Sequence, residues 1–356
     1  MSKSRHQELA DILVNYSCKV KAGETVEITG TSESMPLFRE VVKLCYQKGA
    51  FVRPNLFDEE LAYLKFKYAS DKVLKTTSKF RLFEAKNTDV FINLGGEMNT
   101  NVLSNIDPKK IQESAKANLE ARNEAVKKRW VICEYPSRGL AQEAKMSLEE
   151  YENFVFSACL QDWEKITGEC KKIGNLMHKA KKFHIKSKDT DLMVDISGCP
   201  ASSQNEKVQG SHNMPDGEIF TSPNRYKTEG HIYFPWPSKK GKEVRDVYLE
   251  FKKGKVVKAT ASMNEDYLHE VLKTDKLSNS LGEVAIGLNY GIKQPTNNIL
   301  FDEKIGGSIH IALGAGYKDV NGDPNSSVHW DLVKDMKNGE VWFDDKLVMK
   351  KGKIVI

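Results

Sequence analysis

Glu303, His310, Tyr317, His329 and Asp331 all fall within residues 302–331 of a 356-residue chain that holds eight histidines in total. Carboxylates and imidazoles without thiolates form a ligand set that zinc, cobalt or manganese accepts in hydrolytic sites. His329 and Asp331 are two apart, so an extended segment aims both at the same face, where one ion can meet them. Their surroundings include Ile309, Ile311, Ala312, Leu313 and Gly314, apolar or small, which predicts a partly buried wall. A buried ionisable group must be paired or bind a metal. The segment is therefore a candidate metal site.

Two more carboxylates join it. Glu218 stands between the turn Pro215-Asp216-Gly217 and a short apolar run, and Glu283 heads a run of small and apolar residues, LGEVAIGLN. Taken singly, each has a plain alternative. A Glu beside a turn is usually solvated, Glu303 has Lys304 as a ready ion-pair partner, and His310 alone fits a satisfied core histidine. The joint occurrence carries the argument, because two-metal hydrolases surround ions about 3.5–4 Å apart with several carboxylates and histidines.

Other chemistries fail on spacing. Residues 314–319 start like a dinucleotide loop but have Asp319 where the third glycine belongs. Residues 319–324 resemble a calcium loop at Asp319, Asn321 and Asp323, then place Pro324 at the glycine position and Trp330 where the bidentate Glu is required. There is no G-x-S-x-G. The six cysteines contain no C-x-x-C pair, which argues for reduced, buried thiols and a cytoplasmic address. The N-terminal stretch lacks a signal-type apolar run, and no stretch of about 18 apolar residues occurs. The lysine clusters flank glycines and lack interleaved aromatics, so neither a membrane nor a nucleic acid is an expected partner.

The elements that must hold these residues change character along the chain. The length exceeds what one core usually covers, so two domains are expected. Leu9, Ile12, Leu13 and Tyr16 follow helical spacing, Val26 and Ile28 alternate as in a strand, and Leu37, Val41, Leu44 and Cys45 return to helical spacing. Apolar runs at 50–56, 89–94 and 130–134, with a charged helical stretch at 108–129, predict a parallel α/β sheet. From about residue 180 the pattern becomes paired alternating runs, at 183–197, 247–261 and near the C-terminus, the signature of hairpins. The expected organisation is an N-terminal α/β parallel-sheet domain over 1–180. A mostly antiparallel, barrel-like domain over 181–356 then carries every candidate ligand.

The chain resembles the thermophilic metallo-aminopeptidase family, also called the aminopeptidase T family. The resemblance runs end to end, from LADILVNYSCKVKAGETVEI through EAKMSLEEYENFVFSACLQDW to NMPDGEIFTSP, LGE, FDEK, HIALGAGY and VHWD in that order. It implies an exopeptidase with two divalent ions (zinc, cobalt or manganese) held by Glu218, Glu283, Glu303, His310, His329 and Asp331, and with Tyr317 as a catalytic group. Glu283 or Glu303 would relay the proton of the attacking water, and Tyr317 would donate a hydrogen bond to the developing oxyanion. It also implies short peptides with a free N-terminus as substrates, and a homodimer in which one N-terminal domain helps close a chamber over the partner's site. Three departures are visible: the segments from Glu283 to FDEK and from Tyr317 to His329 look shorter than in the bacterial members, and the step from FDEK to HIALG looks longer. A rival remains. His310, His329 and Asp331 by themselves match the two-histidine, one-carboxylate set of a mononuclear iron ring-cleaving dioxygenase, but such a site does not need Glu218 and Glu283.

Overall fold

The computed structural model describes residues 3–205 and 209–356. It divides into two compact units, Met1–Leu160 with Gly210–Pro215, and Gln161–Gln209 with Asp216–Ile356.

The first unit is built on a parallel sheet. Its strands run in the order Phe51–Leu56, Thr25–Gly30, Val90–Leu94, Arg129–Cys133 and Asn213–Met214. Val26, Ile28, Ile92 and Val131 are fully buried in it, as their alternation requires. Pro54 lies in the edge strand, the one place where a missing N–H costs no ladder bond. The charged stretch 108–129 supplies the helices Pro108–Ala117 and Leu119–Ala125.

The second unit is antiparallel. An eight-stranded sheet contains the hairpins expected at 183–197 and 247–261 and the closing strands of the chain. A separate four-stranded sheet runs in the order His329–Asp335, Ser308–Gly314, Leu281–Gly287 and Glu218–Thr221.

The division differs from a cut at residue 180 in two places. The helix Trp163–Lys179 belongs to the second unit. Gly174 lets it lie against the Glu218 strand, since a Cβ there would stand 3.1 Å from the Ile219 side chain and closer still to Ser203. The segment 210–215 returns to the first unit, where Asn213 and Met214 extend the parallel sheet beside Arg129–Cys133. All six cysteines are buried and none forms a disulfide.

Candidate metal centre

The register of the four-stranded sheet decides what its two faces carry. Glu218 pairs with Gly287, Glu283 with Ala312, Ala285 with His310, Ala312 with Asp331, and Gly314 with His329. Directly paired residues of antiparallel strands point to the same side. Glu218, Glu283, His310, His329 and Asp331 therefore share one face, with Ala285, Gly287, Ala312 and Gly314 as the small residues between them. The other face carries Ile219, Val284, Ile286, Ile309, Ile311, Leu313 and Leu332, all fully buried, together with Thr221, Trp330 and Lys334. Glu303 reaches the polar face from outside the sheet, at the end of the short helix Ile299–Asp302. Gly282 permits the loop toward Tyr317 to come close, because a Cβ there would stand 2.1 Å from the Ala315 carbonyl oxygen.

His310 is the hub. Its Nε2 lies 3.1 Å from Glu283 Oε1 and 3.3 Å from Glu218 Oε2. Two sets of potential ligand atoms each lie within 4.8 Å of one another: Glu218, Glu303 and His310, and Glu283, His310 and Asp331. His329 stands next to the second set, with Nε2 3.3 Å from Asp331 Oδ2 and Nδ1 3.0 Å from the Ala315 carbonyl oxygen. Among the described residues, Glu218 Oε2, Glu283 Oε2 and Asp331 Oδ1 are buried without a hydrogen-bond partner. Buried acceptors left over in this way are costly, and a divalent cation is what this oxygen-and-imidazole set fits.

The electrostatics agree with that fit. Burial pushes the Glu218 carboxyl up to about 8, with Lys304 opposing the shift and Glu303 adding to it. Burial works against charge on both histidines, yet the carboxylates win: the bond to Glu283 and the charge of Glu218 lift His310 to about 9, and Asp331 lifts His329 to about 10. Asp331 is itself held below the usual carboxylate range, since His329 outweighs its burial. The cluster gathers positive charge. Cation binding would replace those protons.

Tyr317 packs its ring 5.3 Å from His329 and 5.5 Å from Phe220. Although the residue is 48% exposed, desolvation of its phenol and the fields of Glu283 and Asp331 raise it well above the ordinary value, so it stays a hydrogen-bond donor.

Two further residues shape the site and were not singled out in the sequence as members of it. Lys304 is fully buried, ion-paired with Glu303 and 3.7 Å from Glu218. Burial opposes its charge, but these two carboxylates hold its pKa above the ordinary lysine value. Its place in FDEK was visible, but nothing in the motif distinguished a surface pair from a buried one. Arg225 donates to the Gly314 carbonyl oxygen at 2.9 Å and to Ser280 Oγ at 2.8 Å, tying the end of the His310 strand to the start of the Glu283 strand. Its signal in sequence is absent.

Known proteins bear on this centre. The sequence pattern of the thermophilic metalloprotease (M29) family matches residues 2–353. Aminopeptidase AmpS of Bacillus subtilis is 28% identical, covering 96% of this chain and 92% of its own. Aminopeptidase T of Thermus thermophilus is 24% identical, covering 91% and 88%. The solved structure of wild-type AmpT from Thermus thermophilus superposes with a TM-score of 0.83 at 22% identity over 99% of both chains. A 2,5-dihydroxypyridine dioxygenase from Pseudomonas putida KT2440 shares the fold more distantly, with a TM-score of 0.64 at 15% identity over 99% and 98%.

Proposed function

Because the chain belongs to the thermophilic metalloprotease (M29) family, we propose that it is an aminopeptidase that removes the N-terminal residue from short peptides with two divalent ions (zinc, cobalt or manganese). The observation that carries this reading is the pair of ligand sets sharing His310. One set draws on Glu218 and Glu303, the other on Glu283 and Asp331, with His329 beside it. When bound, such ions supply Lewis acidity, polarising a carbonyl and lowering the pKa of water.

The chain's own groups supply the rest. Glu283 or Glu303 accepts the proton of the attacking water and returns it to the leaving amine. Tyr317, kept protonated, donates to the oxygen on which negative charge develops. Lys304 keeps Glu303 and Glu218 from facing one another as uncompensated charges. The single-iron reading is less well supported, since Glu218 and Glu283 sit within reach of His310 and a mononuclear site leaves them idle.

A cytoplasmic homodimer belongs to the same reading. It is supported by the large apolar side chains that the first unit exposes, among them Phe51, Leu61, Tyr68, Phe80 and Phe83. The six buried cysteines form no disulfide, and no helix of the described residues is long and apolar enough to cross a membrane.

The test is an assay of the metal-stripped protein, reloaded in turn with zinc, cobalt and manganese, on aminoacyl chromogenic amides with free and N-acetylated amines. Cleavage that needs both a metal and a free amine is the expected result. Failure to cleave any free-amine substrate, or equal cleavage of blocked ones, contradicts it.

A further inference from the structure

A cavity of about 120 Å³ adjoins the ligand-bearing face, with His329, Asp331, Val333, Asn297, Ile299 and Asp302 in its wall. His329, Asp331 and Val333 alternate along one strand and so point to the same side. The cavity thus lies beside the candidate metal centre, with Trp330 also in its wall. Its wall is held in place. Trp330 Nε1 donates to Ser238 Oγ at 2.8 Å, and Ser238 Oγ donates to the Asp331 carbonyl oxygen at 2.8 Å.

The chemistry of the lining is selective. Val333 and Ile299 supply aliphatic surface. Asn297 Nδ2 donates to Glu243 Oε2 at 3.1 Å, which fixes the amide so that Oδ1, buried without a hydrogen-bond partner, is the atom on offer. Asp302 is buried and accepts from the backbone N–H and hydroxyl of Thr296 at 2.7 and 3.0 Å. Among the described residues, the lining away from His329 presents the Asn297 and Asp302 oxygens as acceptors. A carboxylate entering beside Asn297 and Asp302 would meet acceptor oxygens rather than donors. Its size is below the roughly 150 Å³ that admits a benzene ring.

We propose that this cavity is the subsite for the side chain of the substrate's N-terminal residue, and that it takes compact neutral side chains of the leucine or valine kind while rejecting acidic and bicyclic ones. This rests on the aminopeptidase reading above. A peptide whose first carbonyl lies at His329 and Asp331 has this cavity within reach of the adjacent side chain. Asn297 and Ile299 both come from the segment between Glu283 and FDEK.

The experiment is a kcat/KM comparison on alanyl, leucyl, tryptophanyl and glutamyl chromogenic amides, for the metal-loaded wild type, Val333→Phe and Ile299→Trp. Ile299 is 42% exposed, so Ile299→Trp tests the idea even if Val333→Phe folds poorly. In the wild type the leucyl substrate is expected to exceed the alanyl one about tenfold or more, from the extra apolar contact, and to exceed the glutamyl and tryptophanyl ones by at least as much. Filling the cavity should reduce the leucyl-to-alanyl kcat/KM ratio about tenfold. A ratio unchanged in a folded, metal-loaded variant overturns the subsite alone. A wild type inactive on all four overturns the aminopeptidase reading and the subsite with it.

Discussion

The two faces of the four-stranded sheet are made by the same strands, yet they obey opposite rules. One carries Ile219, Val284, Ile286, Ile309, Ile311, Leu313 and Leu332, each fully buried, and its stability comes from apolar area removed from water. The other carries Glu218, Glu283, His310, His329 and Asp331, with buried carboxylate oxygens lacking partners. That face costs stability until something positive fills it. The period-two geometry of the strand lets one short sequence hold both, so the apolar face can anchor what the polar face strains.

The largest expected effect comes from the polar face. Glu283→Gln keeps the volume and removes the charge 3.1 Å from His310. Activity at saturating metal should fall about a hundredfold or more, with circular dichroism unchanged. Turnover near that of the wild type would remove Glu283 from the site and revive the single-iron alternative.

Next is Lys304→Met, which leaves the buried carboxylates Glu303 and Glu218 without their ammonium partner. Breaking a buried pair in this way costs about 3–5 kcal/mol. The loss should appear in urea denaturation of the chelated protein and shrink when metal is restored, because the ion compensates the same charge. Equal losses with and without metal would mean that Lys304 acts apart from the metal centre.

The apolar face should respond in the opposite way. Ile311→Ala should destabilise by about 2–5 kcal/mol through the cavity it leaves, while activity per folded molecule and metal content stay near wild type. A large drop in metal affinity at unchanged stability would break the separation of the faces.

The smallest effect is expected in the first unit, at a buried carboxylate with no ligand cluster around it among the described residues. Glu134 has Oε2 buried without a partner, and burial, reinforced by Glu97, pushes its carboxyl up to about 8. Its unfolded value is about 4.3. Folding is therefore penalised increasingly as pH rises from about 4.3 toward 8. Glu134→Gln should raise Tm at pH 8 and gain little at pH 5. A gain independent of pH would show that the charge is not its cause.

Much of this organisation was legible in the sequence, for a physical reason. Strand alternation puts chemistry and core on alternate positions, His310 against Ile309 and Ile311, His329 and Asp331 against Trp330 and Leu332, and HIALG and VHWD display that alternation directly. The hairpins after residue 180 were readable because short polar turns separate runs of period two. What was not legible depends on long-range packing. Helical spacing at 163–179 cannot say which sheet the helix covers, and a two-residue strand at Asn213–Met214 has no pattern to detect. The burial of Lys304 follows from Glu218 being brought from a distant segment to lie beside Glu303, and no window of sequence contains that fact.

Metal content is the most direct test of the central claim that one sheet face holds two cations around His310. Elemental analysis of the reconstituted protein, paired with assays for amide cleavage and oxygen uptake, should give about two zinc, cobalt or manganese ions per chain with cleavage of free-amine substrates. Replacing His310 by Ala should lower both sites together, since it belongs to both ligand sets. A single iron per chain with oxygen uptake and no amide cleavage would contradict the account.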